Sequence, residues 1–355
     1  MRKRLTALAM PLAALAFAGP ARAAAPEPTP EQVRAAVTRS LPLLQKAAMG
    51  HAAQRQCFAC HSQALPLLAM TTAKTHGFAV DEKEVRKQLR FIAEFLDGNR
   101  GNYRKGRGTG GQADTAGYAL FTLEVGEWKP DATTSAVAEY LLLRNKESDH
   151  WPTTSRRPPS EASSFTTTYL ALRGLKKFGT REQQDRITER MTKARKWLLA
   201  TPAKDTEDRV FRLSALKLTG ADEKEVRAAV RELVQTQRKD GGWAQLDKGE
   251  SDAYATGSAL VALHQAGGMP VSDAVYRRGL KFLIGSQRED GSWLVRSRSK
   301  PFQTYFETGF PHGKDQFISS ASSGWAATAL ALACDPAPKK VSAVKEPPAT
   351  RTEKK

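Results

Sequence analysis

Three cysteines in 355 residues cannot staple a fold of this size, so disulfides do not hold the core together. No apolar stretch reaches the roughly 18 residues that a membrane span needs, and the mean hydropathy is −0.49. Glycine and proline, at 26 and 19 residues, are too few for a collagen-like or low-complexity chain. The alternating strand and helix patterns of a βαβ unit are missing as well. What is present is 40% apolar and 26% charged residues. That is enough for one large core or two smaller ones and excludes wholesale disorder.

The net charge is +18, and Arg2, Lys3, Arg4 and Arg22 contribute to it from the first 23 residues. That segment reads as a secretory signal peptide, with a basic start, an apolar run over 5–17 and a small-x-small site at Ala21-Arg22-Ala23. Residues 24–30 follow as a linker. Residues 336–355 form a basic, Pro-rich tail that is expected to be disordered. On this reading the protein is periplasmic or secreted, which argues against nucleic acid as a partner. The excess positive charge is expected to draw it to anionic membrane surfaces or acidic partners.

Internal similarity organises the rest of the chain. Gln237-x3-Gly241-x-Trp243 and Gln287-x3-Gly291-x-Trp293 lie 50 residues apart, each between an amphipathic helical pattern and one rich in small residues. Weaker copies place Trp151 and Tyr103 at the aromatic position, and a shortened copy before Gly220 has no Gly-x-Trp loop. First-type helices then begin near residues 31, 81, 131, 183, 222 and 272. The pattern predicts six helical hairpins, with Gly77, Gly126, Gly179, Gly220 and Gly267 as left-handed C-caps of the second helices. Charged first helices should face water and small-residue second helices should be buried. The expected fold is an all-α (α/α)6 toroid over residues 31–335, with an open solenoid as the alternative.

The two Gln-x3-Gly-x-Trp segments resemble the QW repeats of squalene–hopene cyclases and their prenyltransferase relatives. The resemblance implies a toroid whose tryptophans brace outer against inner helices, with the active cavity at the end where inner helices begin. Those cyclases start their reaction with an Asp-x-Asp-Asp cluster opening an inner helix. The matching place here reads Ser251-Asp252-Ala253-Tyr254, with a single carboxylate suited to an N-cap. The prenyltransferases use an Asp/Cys/His zinc site, and no inner-helix start in the second to sixth repeats offers a Cys. Both departures argue against cyclase or prenyltransferase activity.

Cys57-Phe58-Ala59-Cys60-His61 has the Cys-x-x-Cys-His form of a c-type haem attachment site, with two thiols for thioether bonds and an adjacent axial imidazole. Chance alone gives this pattern in roughly one of 2,000 chains of this composition. A Cys57–Cys60 disulfide or a metal site joined by His51 are the rival readings. The expected cofactor is one covalent haem c, held by Cys57 and Cys60 with His61 on the iron. For the sixth ligand, His312 in the long loop 300–317 is the leading choice and Met70 a weaker one, with His76, Met49 and His51 as local alternatives. A long ordered loop in a repeat protein is usually functional, and ring closure would bring this one over the motif. The chain also resembles a loosely defined group of bacterial exported proteins that join such a toroid to one Cys-x-x-Cys-His motif.

These features predict an exported haem protein acting in electron transfer or a haem-dependent redox step. Its partner would be a redox protein or an apolar ligand in the toroid cavity. The alternatives are a non-redox ligand-binding toroid and a carbohydrate-acting hydrolase or lyase using the carboxylates of Glu307 and Asp315.

Overall fold

Aspartates set the starts of many of the helices. Asp81, Asp131, Asp205, Asp252 and Asp273 each accept hydrogen bonds from first-turn backbone N–H groups, satisfying donors that a helix start leaves free. The computed structural model of the protein describes residues 27–301 and 303–337. The expected signal peptide and nearly all of the basic tail lie outside the described residues.

Among the described residues the helices are α1 (Pro30–Gln54), α2 (Leu65–Thr75), α3 (Glu82–Asp97), the single turn α4 (Arg100–Tyr103), α5 (Gln112–Val125), α6 (Ala132–Leu143), α7 (Ser164–Phe178), α8 (Gln184–Ala200), α9 (Thr206–Leu218), α10 (Glu223–Gln235), α11 (Ala253–Gln265), α12 (Ala274–Ser286) and α13 (Gln316–Leu332). Outer helices α1, α3, α6, α8, α10 and α12 begin within two residues of the expected starts. Each leads into an inner helix: α2, α5, α7, α9, α11 and α13. Neighbouring inner helices pack in that order, and α13 packs back on α2. The ring is therefore closed, and the architecture is the (α/α)6 toroid rather than an open solenoid.

Small residues make the inner contacts close. A Cβ on Gly257 of α11 would stand 2.6 Å from the backbone of Trp325 on α13, and one on Gly324 would stand 2.7 Å from the backbone of Leu65 on α2. Backbone cannot yield as a side chain would, so these crossings tolerate no side chain at all.

The Gln-Trp turns lock the outer wall. The indole N–H groups of Trp151, Trp243 and Trp293 donate to Leu141, Leu233 and Leu283, ten residues back in each case, at 2.9, 2.9 and 2.7 Å. The Gln237 amide donates to the Gly241 carbonyl of its own turn and to Val275 on α12. Gln287 does the same with Gly291 and with Ala36 on α1, at 3.0 and 2.8 Å, which ties the last hairpin to the first. Gly241 and Gly291 sit at φ +88° and +87°, a conformation that only glycine adopts without strain.

Three details differ from expectation. Only Gly77 and Gly220 are left-handed among the five expected C-caps; at the others Glu127 or Gly268 takes the positive φ, or the helix simply runs into extended chain at Gly179. A two-residue antiparallel ladder, β1 (Trp243–Ala244) with β2 (Ser251–Asp252), precedes α11. The chain enters α2 through a π-helical turn, Cys60–Ala64, a local widening that often marks functional sites.

Replacing Gly324 by Ala should cost about 1–3 kcal/mol by overpacking, lowering Tm by about 2–4 °C for each kcal/mol. Gln287→Ala should cost about 1–3 kcal/mol through unpaired turn and helix groups. Differential scanning calorimetry checks both; an unchanged Tm in both variants would contradict the closure described here.

Candidate active site

Because outer and inner helices alternate, the inner helices run parallel, and their N-termini share one end of the ring. That end gathers the acidic and thiol side chains. Asp205, Glu207 and Asp208 open α9, Asp252 caps α11, Asp114 lies in the first turn of α5, and Glu161 precedes α7. Three loops cover it and touch one another: Ser299 Oγ donates to Pro158 O at 3.2 Å, and Arg298 donates to Gln245 at 2.8 Å.

Glu207 is 4% exposed. Its Oε1 accepts from the hydroxyls of Thr166 at 3.0 Å and Tyr254 at 3.4 Å, while Oε2 is buried with no hydrogen-bond partner. Burial is the main cause that pushes its carboxyl well above the usual range, and Asp205 adds to it. Burial therefore favours the neutral, proton-carrying form of Glu207. Asp205, also raised by burial, caps α9 through the Asp208 N–H at 2.9 Å. Asp208 accepts from Ser163 Oγ at 2.6 Å and from the Lys204 N–H at 3.0 Å. Asp252, the N-cap of α11, is raised to about 6 by burial.

These residues fill a sequence pattern that the Gly-x-Trp signature does not mark, because their hairpin is the shortened copy. Aligning the two N-caps, Asp205 and Asp252, sets Asp205-Thr206-Glu207-Asp208 against Asp252-Ala253-Tyr254-Ala255. An acidic cluster thus opens an inner helix after all, one repeat before the place where the resemblance pointed.

One helical turn beyond Glu207, Val210 and Phe211 reach a central cavity of about 690 Å³. Ser258 lines both this cavity and the narrow crevice that holds Glu207 and Tyr254. Tyr118, Phe121, Tyr169, Phe211 and Trp325 supply aromatic wall, and the mouth lies among the last turns of the inner helices. The central cavity therefore opens at the end where inner helices finish, opposite to the expected end. A second cavity of about 800 Å³ lies outside the ring between α1, α2 and α3.

The Cys-x-x-Cys-His segment belongs to the acid end. Cys57 is exposed, whereas Cys60 is buried and its thiol donates to Glu161 Oε1 at 2.6 Å. Glu161 is also ion-paired with Arg157. Burial raises both the Cys60 thiol and the Glu161 carboxyl. His61 is pulled down to about 3 by burial, so it is neutral, and its ring packs edge-on to Phe317 at 4.9 Å. His51 lies 6.3 Å from His61 and donates to the Cys57 carbonyl at 2.7 Å. Residues of the long loop do reach this segment: Phe306 packs on His51 and Phe317, and Arg55 bonds to Thr304.

The other expected site residues lie apart from His61. His312 bonds through Nε2 to Ser292 at 2.7 Å and packs on Phe310. Met70 faces the outer cavity between α1 and α3. Neither large cavity is lined by Cys57, Cys60 or His61, and among the described residues no group of three or more His, Cys, Asp or Glu is placed to hold a metal ion. Glu307 is engaged by Tyr305 and Gln316, and Asp315 by Arg296 and the Ser297 N–H. Both serve the loop itself.

Known proteins resemble this chain in sequence and in fold. The squalene–hopene cyclase C-terminal domain profile matches residues 205–330, opening on the Asp205–Asp208 cluster. Drimenyl diphosphate synthase from Streptantibioticus cattleyicolor is 28% identical over 211 residues, 54% of this chain and 36% of that protein. Squalene–hopene cyclase from Bradyrhizobium diazoefficiens is 36% identical over 126 residues, 30% of this chain and 18% of that one. The chain thus spans little more than a third of the first of these relatives and less of the second. The type II terpene cyclase MstE from Scytonema superposes with a TM-score of 0.54 at 15% identity, covering 86% of this chain and 98% of that one. These matches correct the haem-based redox function expected from the Cys-x-x-Cys-His motif, together with its cytochrome c, iron and electron-transfer assignments. They point to a terpene cyclase-like protein, and the fold is the toroid of the type II terpene cyclases.

Proposed function

We propose that the protein cyclises an isoprenoid chain by protonating it, with Glu207 as the acid. The observation that carries this reading is a buried carboxyl with no cation partner, in an acidic cluster at the head of an inner helix, one turn from an aromatic-walled cavity. Asp205-Thr206-Glu207-Asp208 is the counterpart of the cluster with which squalene–hopene cyclases begin, with Glu in the middle position. The names of the matched relatives, a drimenyl diphosphate synthase and a squalene–hopene cyclase, support the same chemistry.

The residues divide the task. Burial keeps the proton on Glu207 until an alkene takes it, and the neighbouring Asp205 and Asp208 make the cluster unfavourable for more charge. The π pair of the terminal double bond forms the new C–H bond, leaving a cation on the adjacent carbon and a carboxylate on Glu207. A second double bond closes the ring, and loss of a proton ends the cascade, so the product is an isomer of the substrate. Faces of Tyr118, Phe121, Tyr169, Phe211 and Trp325 attract the cation through their quadrupoles. The same apolar wall keeps water from quenching it.

Incubation with farnesyl diphosphate, geranylgeranyl diphosphate and squalene, followed by product analysis, tests this. Wild type should cyclise at least one of them, and Glu207→Gln should lower the rate by about 100-fold or more. No cyclisation by wild type, or full activity in the variant, would overturn the assignment.

Stability should move the other way. A carboxyl with a raised folded-state pKa contributes fully below its unfolded value and loses that contribution as pH rises toward the folded value. Glu207→Gln removes this loss. Its stability relative to wild type, measured by urea denaturation, should therefore increase as pH is raised from 4 to 8.

A further inference from the structure

The charges around the central cavity are unevenly divided. Its lining carries Arg173, Lys176, Lys177 and Lys217 against one carboxylate, Glu124. Glu124 is taken by Arg173, whose Nε donates to it at 2.6 Å while Nη1 donates to the Tyr169 hydroxyl at 2.8 Å. Lys176, Lys177 and Lys217 are exposed, and none has an ion-pair partner among the described residues. All three lie in the last turns of α7 and α9. Lysines there also complement the helix dipole, but the dipole is served by a cation anywhere around the turn. These three line the cavity mouth.

Lys217 stands ten residues beyond Glu207 on α9, about 15 Å along the helix axis. The cavity thus has a proton donor beyond one end, aromatic walls between, and uncompensated cations at the other. A neutral hydrocarbon would leave those cations without a role.

We propose that the mouth of this cavity binds the anionic head group of an amphiphilic substrate, a diphosphate or a carboxylate carried on an isoprenoid chain. Lys176, Lys177 and Lys217 hold the head electrostatically, Arg173 forms a fixed wall beside them, and the chain runs inward with its far double bond toward Glu207. This deepens the cyclase reading and rests on it for the chain's orientation, but head-group binding is measurable without turnover.

Equilibrium binding of farnesyl diphosphate, farnesoic acid and farnesol, followed by tryptophan fluorescence, tests it on wild type and on the Lys176→Gln/Lys177→Gln/Lys217→Gln variant. At least one of the two anions should bind wild type about tenfold more tightly than the alcohol, with affinity falling as salt rises. The variant should lose about tenfold for that anion and leave farnesol unchanged, the sum of a few exposed charge contacts. Preference for farnesyl diphosphate would identify a diphosphate head, and preference for farnesoic acid a carboxylate. Farnesol binding as tightly as both anions, or an equal loss for all three ligands, would overturn the proposal. Failure of Glu207→Gln to affect cyclisation would overturn the cyclase reading and leave this result standing.

Discussion

Six helices packed parallel in a closed ring impose a polarity that everything else follows. One end of the ring collects six N-termini and the other six C-termini, so helix dipoles favour carboxylates at the first and cations at the second. The sequence follows that division, with Asp114, Glu161, Asp205, Glu207, Asp208 and Asp252 at one end and Lys176, Lys177 and Lys217 at the other. At Glu207 burial opposes the dipole and raises the carboxyl well above its usual range. That conflict between desolvation and charge is what makes the residue useful, and it costs stability at neutral pH.

The ring can be closed only because its walls are made of different materials. Gly257 and Gly324 let inner backbones approach to distances that a Cβ would forbid. The outer wall is fastened by directional bonds instead, with each Gln reaching both its own turn and the next outer helix. A small-residue interior leaves room for a cavity, and aromatic side chains then shape it.

The toroid was legible because its signals are local. Helix starts follow aspartate caps and apolar periodicity, and the Gln-Trp turns repeat at a fixed spacing. The acid is less legible: the fourth hairpin lacks a Gly-x-Trp loop, and the hairpin that carries one offers Asp252, with Tyr254 at the acid position. What marks Glu207 is burial without a cation partner, and that depends on Thr166, Asp205 and Tyr254 converging from three inner helices or their caps. The redox function expected from the Cys-x-x-Cys-His segment is overturned by the matches to terpene cyclases. Spacing fixes which residues are near in sequence but not where their side chains go, and here one thiol is exposed while the other turns inward to Glu161. His312 lies in the expected loop, yet its side chain is spent on Ser292.

The proposed mechanism requires Glu207 to hold a proton at neutral pH. Infrared difference spectroscopy of wild type against Glu207→Gln at pH 7, in H₂O and D₂O, tests it directly. A protonated-carboxyl C=O stretch should be present in wild type, shift on deuteration and be absent from the variant. A carboxylate band lost in its place would show that Glu207 is ionised and would contradict its role as the acid.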